Sequence, residues 1–213
     1  MTHKTEIEAI ILDLGGVILN LDYHATTKAF FDLGFTEFDV LYSQAGQIGL
    51  FDKFETGEIS EDIFFEELNR LGNKSLSKNL LIEAWNKMLL DFNSKAIDIV
   101  TELRQNYSVY LFSNTNETHY QKFNKFYHNY SKGLDFDALF DKTYYSHLCK
   151  KRKPNAEAFL SILEENKLMA NKTLFIDDSI QHVNGASSVG IKSFHLKGTL
   201  EILIQKELQF LLA

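Results

Sequence analysis

The chain has 213 residues, 45% apolar and 24% charged, with a net charge of −7, which suits an ordinary globular protein long enough to bury a sizeable core. An acidic balance argues against a nucleic-acid partner, which needs a broad basic footprint; Lys150-Lys151-Arg152-Lys153 is a short basic run and on charge alone reads as a solvated loop. One cysteine, Cys149, excludes an internal disulfide and a cysteine-built metal cage. The segment Met1–Glu6 lacks a signal-peptide layout, and the apolar stretch Ile7–Leu19 is interrupted by Glu8 and Asp13 and is too short for a bilayer. A cytoplasmic protein with no membrane partner is expected.

In chain order, Ile7–Leu12 comes first, and its Ala9-Ile10-Ile11-Leu12 core runs without alternation, as a parallel strand covered on both faces does. Helical periodicity follows over Thr26–Leu33, Glu61–Leu71, Ser77–Leu89 and Ser94–Asn106, with Ser60 and Ser77 as helix starts. Four more strands are expected at Ser108–Phe112, Thr143–Ser146, Thr173–Ile176 and Lys192–Leu196. Helical patterns lie between them, among others Ala156–Lys167, which Pro154 can open, and Ile180–Val189. Strands alternating with helices predict an α/β protein with a parallel, Rossmann-like sheet. About ninety residues separate the first two strands, too many for a structureless loop. Residues 20–91 are therefore expected to form an inserted helical cap, with 1–19 and 92–213 as the core.

Active sites of parallel α/β sheets lie beyond the carboxyl ends of the strands. Here those ends carry Asp13, Ser113-Asn114 and Asp177-Asp178, and the loop after the third strand carries Arg152-Lys153-Pro154. Each has a bland explanation: an Asp after a strand forms turns or caps helices, and Ser113-Asn114 could cap the next helix. The bland reading leaves their common edge unexplained. Two unit charges ~4 Å apart repel by about 4 kcal/mol at an effective dielectric of 20, so converging carboxylates call for a cation. Lys153 and a divalent metal would supply it, and hard oxygen ligands favour magnesium over zinc.

The segments Ile11-Leu12-Asp13-Leu14-Gly15-Gly16-Val17, Leu111-Phe112-Ser113-Asn114, Lys153-Pro154 and Phe175-Ile176-Asp177-Asp178 resemble, in order, the four motifs of the haloacid dehalogenase superfamily. Together with Phe54-Glu55-Thr56-Gly57-Glu58-Ile59-Ser60, they look most like its glucose-1-phosphatase-like branch, which has a helical cap after the first strand. The resemblance implies a magnesium-dependent phosphatase acting on a small phosphate ester, with a sugar phosphate as the best guess. Asp13 would form an aspartyl-phosphate; a carboxylate suits this because it is ionised at neutral pH without a helper base. Asp13, the Gly15 carbonyl and Asp178 would hold Mg2+, with Asp177 supporting them. Gly16, Ser113, Asn114 and Lys153 would contact the phosphoryl group.

Most phosphatases of the superfamily place a second Asp, the general acid and base, where this chain has Gly15. That glycine keeps two alternatives open, a metal-independent 2-haloacid dehalogenase and a catalytically idle binding protein of the same fold; a phosphomutase ranks lower. Lys150 stands where a glycine is common, and His182 where Asn or Asp is common; His182 by itself reads as a surface helix residue. Tyr23, Phe51, Phe54, Glu55 and Trp85 are candidates for the lining of the cap.

Overall fold

A computed structural model describes residues 7–36, 46 and 49–212. Met1–Glu6, where no signal layout is expected, and residues 37–45 of the expected insert lie outside the described residues. Among the described residues seven strands form: β1 (Ala9–Leu12), β2 (Leu19–Leu21), β3 (Leu89–Phe92), β4 (Ser108–Ser113), β5 (Lys142–Tyr145), β6 (Thr173–Asp177) and β7 (Lys192–His195). Five of them make one parallel sheet in the order β5-β4-β1-β6-β7, while β2 and β3 pair antiparallel. The α/β class expected from the sequence is the class observed.

The central strand explains its own composition. Ile10 and Leu12 pack on one face with Val109, Leu111, Leu174 and Ile176; Ala9 and Ile11 pack on the other with Tyr110, Phe112 and Phe175. No residue of β1 is more than 1% exposed, so both registers must be apolar. Each buried Ile or Leu there contributes about 1.5–3 kcal/mol. The helices Ser94–Leu103, Glu117–Tyr130 and Leu200–Lys206 cover the first face, and Ala156–Glu165 covers the second. From β1 the chain moves to β4 and β5 on one side, then to β6 and β7 on the other. That reversal opens a crevice at the carboxyl end of β1, between β4 and β6.

The chain leaves along β2 and returns along β3. Between them the helices Tyr23–Asp32, Leu50–Glu55, Glu61–Leu71 and Lys78–Trp85 bury their own cluster, including Phe30, Phe54, Phe64, Phe65, Leu68 and Leu81. The expected helix Ser77–Leu89 is shorter than its apolar pattern. It ends at Trp85, and one 3-10 turn, Asn86–Met88, leads into β3. Leu89 and Leu90 continue the helical spacing, but Leu89 pairs with Leu21. Ser60 caps its helix through the Ile63 N–H at 3.3 Å, whereas Ser77 makes no side-chain cap. Asn155, one residue after Pro154, opens the helix Ala156–Glu165. No helix among the described residues is long and apolar enough to cross a membrane.

Candidate active site

Asp13 follows β1 and continues its register, its N–H donating to the Ile176 carbonyl at 3.0 Å. The chain then turns tightly through Gly15 and Gly16, closed by Gly16 N–H to the Leu19 carbonyl (2.8 Å) and Leu19 N–H to the Leu14 carbonyl (2.9 Å). Gly16 has φ +71, and a Cβ there would lie 2.2 Å from Asp178 Oδ2. Both facts demand glycine, which lets the main chain pass directly against that carboxylate. A Cβ on Gly15 would meet Leu21 Cδ1 at 2.7 Å; the tip of Leu21 fills the space a side chain would need.

Lys153 is where the strand ends meet. Its Nζ lies 2.6 Å from Asp13 Oδ1 and 2.6 Å from Asp177 Oδ2, and the side chain is 0% exposed. The Phe112 and Phe175 rings flank the ammonium, with centroids at 5.4 and 5.6 Å. Asn114, expected at the phosphoryl group, uses both ends of its amide on the Lys153 main chain, each at 2.9 Å. It therefore fixes the lysine loop. Ser113 Oγ has only a 3.5 Å approach to the Asn114 carbonyl, at the limit of a hydrogen bond.

Asp177 is held from three sides, by Lys153, by the Ser179 N–H (2.7 Å) and by His182 Nδ1, 3.0 Å from both its oxygens. The surface reading of His182 is thus corrected: the first turns of the helix after β6 bring it back onto that carboxylate. Burial alone would raise Asp177, but Lys153 and His182 hold it below the usual range. Burial raises Asp13 against the pull of Lys153. For Lys153 burial works downward, yet Asp13 and Asp177 overcome it and its pKa is raised. Asp178 is raised by burial and by the neighbouring Asp177 charge.

Asp13, Asp177 and Asp178 present carboxylate oxygens within 4.8 Å of one another. All donors in this cluster are hard oxygens, which fits magnesium. Lys153 and His182 engage both Asp177 oxygens and one of Asp13. The second Asp13 oxygen and Asp178 are the carboxylate donors left for a cation.

Above this cluster lies a cavity of about 610 Å³. Gly15, Ser113, Asp178 and His182 line it from the sheet edge, and Tyr23, Phe51, Glu55 and Trp85 from the insert. Phe54, expected in the lining, is instead buried in the insert, stacked on Phe64 at 4.1 Å. Arg152, read from the sequence only as part of a basic loop, and His119, which the sequence reading did not single out, both line the cavity. Arg152 pairs with Asp52 and, at 2.8 Å, with Glu55 of the insert. His119 sits three residues after the helix cap Asn116 and stacks on Trp85 at 5.3 Å. Its apolar neighbours are remote in sequence, so no local pattern marks it. Lys150 has φ +57, which accounts for glycine being common at such a position, and its Nζ donates to the Gly57 carbonyl at 3.2 Å.

Residues 10–196 match the family of haloacid dehalogenase-like hydrolases. The chain is 29% identical over 193 residues to the D-ribitol-5-phosphate phosphatase of Bacteroides thetaiotaomicron, spanning 88% of this chain and 91% of the relative. Among solved structures, a haloacid dehalogenase family enzyme of Bacteroides thetaiotaomicron in its magnesium complex superposes with a TM-score of 0.84 at 31% identity, covering 91% of this chain and 94% of the other. A haloacid dehalogenase-like hydrolase of Porphyromonas gingivalis superposes with a TM-score of 0.85 at 29% identity, covering 97% and 98%.

Proposed function

The chain belongs to the haloacid dehalogenase-like hydrolases and is a phosphatase of that family, and from this premise we propose that it hydrolyses small sugar or sugar-alcohol phosphates with the help of magnesium. The observation that carries this reading is the 2.6 Å contact of buried Lys153 with both Asp13 and Asp177, beside Asp178. An ammonium between two carboxylates works against burial to favour the charged, nucleophilic form of Asp13 and meets the negative charge of a phosphoryl group.

In this reading Asp13 attacks phosphorus and forms an aspartyl-phosphate, which water then hydrolyses. The Ser113 hydroxyl donates to a phosphoryl oxygen, and Gly16 lets main chain approach the group closely. Asn114 positions Lys153, while Asp177 and His182 orient it from the far side. Asp13 and Asp178, with the Gly15 carbonyl, would hold magnesium, which supplies charge neutralisation at the phosphoryl oxygens. Residues 20–91 act as a cap over the core of 1–19 and 92–213, with β2 and β3 as the two crossings. The polyol substrate class is supported by the relative active on D-ribitol 5-phosphate and by a cavity that mixes Tyr23, Thr26, Thr27 and Trp85.

The test is a panel of phosphate monoesters, D-ribitol 5-phosphate included, run on the wild type and on Asp13→Asn with magnesium or with chelator. The wild type is expected to lose turnover on chelation and regain it with magnesium, and Asp13→Asn to fall by more than about 10³-fold. Chelator-resistant turnover, or a fully active Asp13→Asn, would overturn the proposal; chelator-resistant halide release from a 2-haloacid would favour the dehalogenase.

A further inference from the structure

We propose that Glu55, delivered by the insert, gives the leaving alcohol its proton and takes one from the attacking water, standing in for the side chain that Gly15 lacks. The proposal rests on the phosphatase reading above. Position 15 offers no acid, and the Leu21 methyl occupies the space where one would stand. An alkoxide is a poor leaving group, so another group must supply that proton.

The cavity wall contains few candidates. Asp13 is paired with Lys153, and Asp178 is the carboxylate left for the metal. His182 is tied through Nδ1 to Asp177. His119 accepts from the Asn116 amide (3.2 Å) and its Nε2–H donates to the Trp85 carbonyl (3.1 Å), so both ring nitrogens are engaged. Arg152 is permanently cationic. Tyr23 is 64% exposed, and a phenol of pKa ~10 is a weak acid at neutral pH.

Glu55 differs from all of these. Its Oε2 is shielded from solvent and lies 2.8 Å from Arg152 Nη2, yet no well-directed hydrogen bond reaches it, and Arg152 Nε is likewise unpartnered. A buried carboxyl oxygen with unused capacity, at the wall of the reaction cavity, calls for an explanation. The charged or titratable groups facing it are Arg152, Asp52, His182 and Lys153. Burial raises its pKa, Arg152 opposes that, Asp52 adds to it, and the balance favours the protonated form relative to an ordinary glutamate. A general acid at neutral pH needs that bias.

The protons and electron pairs balance. As Asp13 bonds to phosphorus, the bridging P–O bond breaks, its pair stays on the alcohol oxygen, and the Glu55 proton neutralises it. Water then attacks phosphorus, its proton goes to the Glu55 carboxylate, and the P–O bond to Asp13 breaks, releasing inorganic phosphate. Because Glu55 is on the insert, the acid is in place only when the insert is closed.

Single-turnover cleavage of D-ribitol 5-phosphate and p-nitrophenyl phosphate by Glu55→Gln decides the matter, since p-nitrophenolate leaves without a proton. The alkyl ester is expected to slow by about 10²-fold or more and the aryl ester by at least tenfold less than that. Equal losses, as from a disturbed Arg152, or no loss at all would overturn the proposal. So would the same leaving-group-dependent loss in His182→Gln or Tyr23→Phe. Should Glu55→Gln not fold, the wild type answers: its alkyl rate must fall at high pH along a limb that its aryl rate lacks, and parallel profiles overturn the proposal. A wild type with no magnesium-dependent turnover of either ester would overturn the phosphatase reading, and this proposal with it.

Discussion

Lys153 shares its single charge between Asp13 and Asp177 and has no exposed surface. Without it the two carboxylates would face each other in a place where neither is well solvated. Removing one partner of a buried ion pair costs about 3–5 kcal/mol, most of it from the charge left behind. We expect Lys153→Met to lose stability on that scale in urea unfolding at pH 8. Adding Asp177→Asn should restore part of the stability and none of the activity. A single variant that unfolds with the wild-type midpoint would show that the ammonium does not hold the cluster. Asp13, Asp177 and Asp178 were legible because each sits at a strand end, a place that apolar runs reveal, and Lys153 because the loop after a strand carries it beside Pro154. The contacts of Asn114, His182 and Glu55 were not, because each depends on a partner reached only through tertiary packing: the Lys153 main chain, the Asp177 carboxylate and the Arg152 guanidinium.

The helix Glu117–Tyr130 meets the insert helix Lys78–Trp85 at His119, buried against Trp85. Burial pushes its imidazole down to about 4 from an ordinary 6.5, and the hydrogen bond to the Trp85 carbonyl only partly offsets this. Above pH ~6.5 the imidazole is neutral in both folded and unfolded chains, so it adds no pH dependence. Between ~6.5 and ~4 the unfolded chain takes a proton that the fold resists, and stability falls as the pH falls. The loss is about 1.4 kcal/mol per pH unit, or roughly 3 kcal/mol in total, and is complete near pH 4. In urea titrations the stability advantage of wild type over His119→Gln should therefore shrink across that window; a constant difference would show that His119 carries its proton inside the fold. Of the elements themselves, β1, β4 and β6 were legible because burial on both faces leaves an apolar run, while the partly exposed edge strands β5 and β7 carry polar residues and stood out only as short segments between helical patterns. β2 and β3 were not legible, since three or four residues give no period and their pairing, Leu21 with Leu89, is set by the insert between them.

The insert and the sheet edge line the cavity from two sides, and direct contacts join them. Among the described residues those contacts are mostly polar: Arg152 with Asp52 and Glu55, Thr118 Oγ1 donating to Glu61 at 2.6 Å, Lys150 to the Gly57 carbonyl, and His119 on Trp85. The Arg152–Asp52 pair is exposed on its carboxylate side, and such pairs contribute only ~0–1 kcal/mol; opening and closing of a cap over a site is a common gating motion. The spacing of the strands implied an inserted unit, but not where its main chain comes hard against the core. That point is Gly57, at φ +65, where a Cβ would lie 2.4 Å from the His147 carbonyl oxygen. Any side chain there must push the Thr56-Gly57 turn off the core, and a β-branched one is strained in that backbone conformation as well. Gly57→Asn separates the two effects, because asparagine tolerates the left-handed region while still carrying the Cβ. If closure sets the rate, both Gly57→Val and Gly57→Asn should lose about 10²-fold in kcat/KM, the scale of a ~1 Å misplacement. Small-angle scattering of the substrate-bound enzymes should then give a larger radius of gyration for both variants. If Gly57→Asn alone keeps wild-type kcat/KM, backbone strain rather than closure is what the glycine avoids, and the contact with His147 has no part in catalysis.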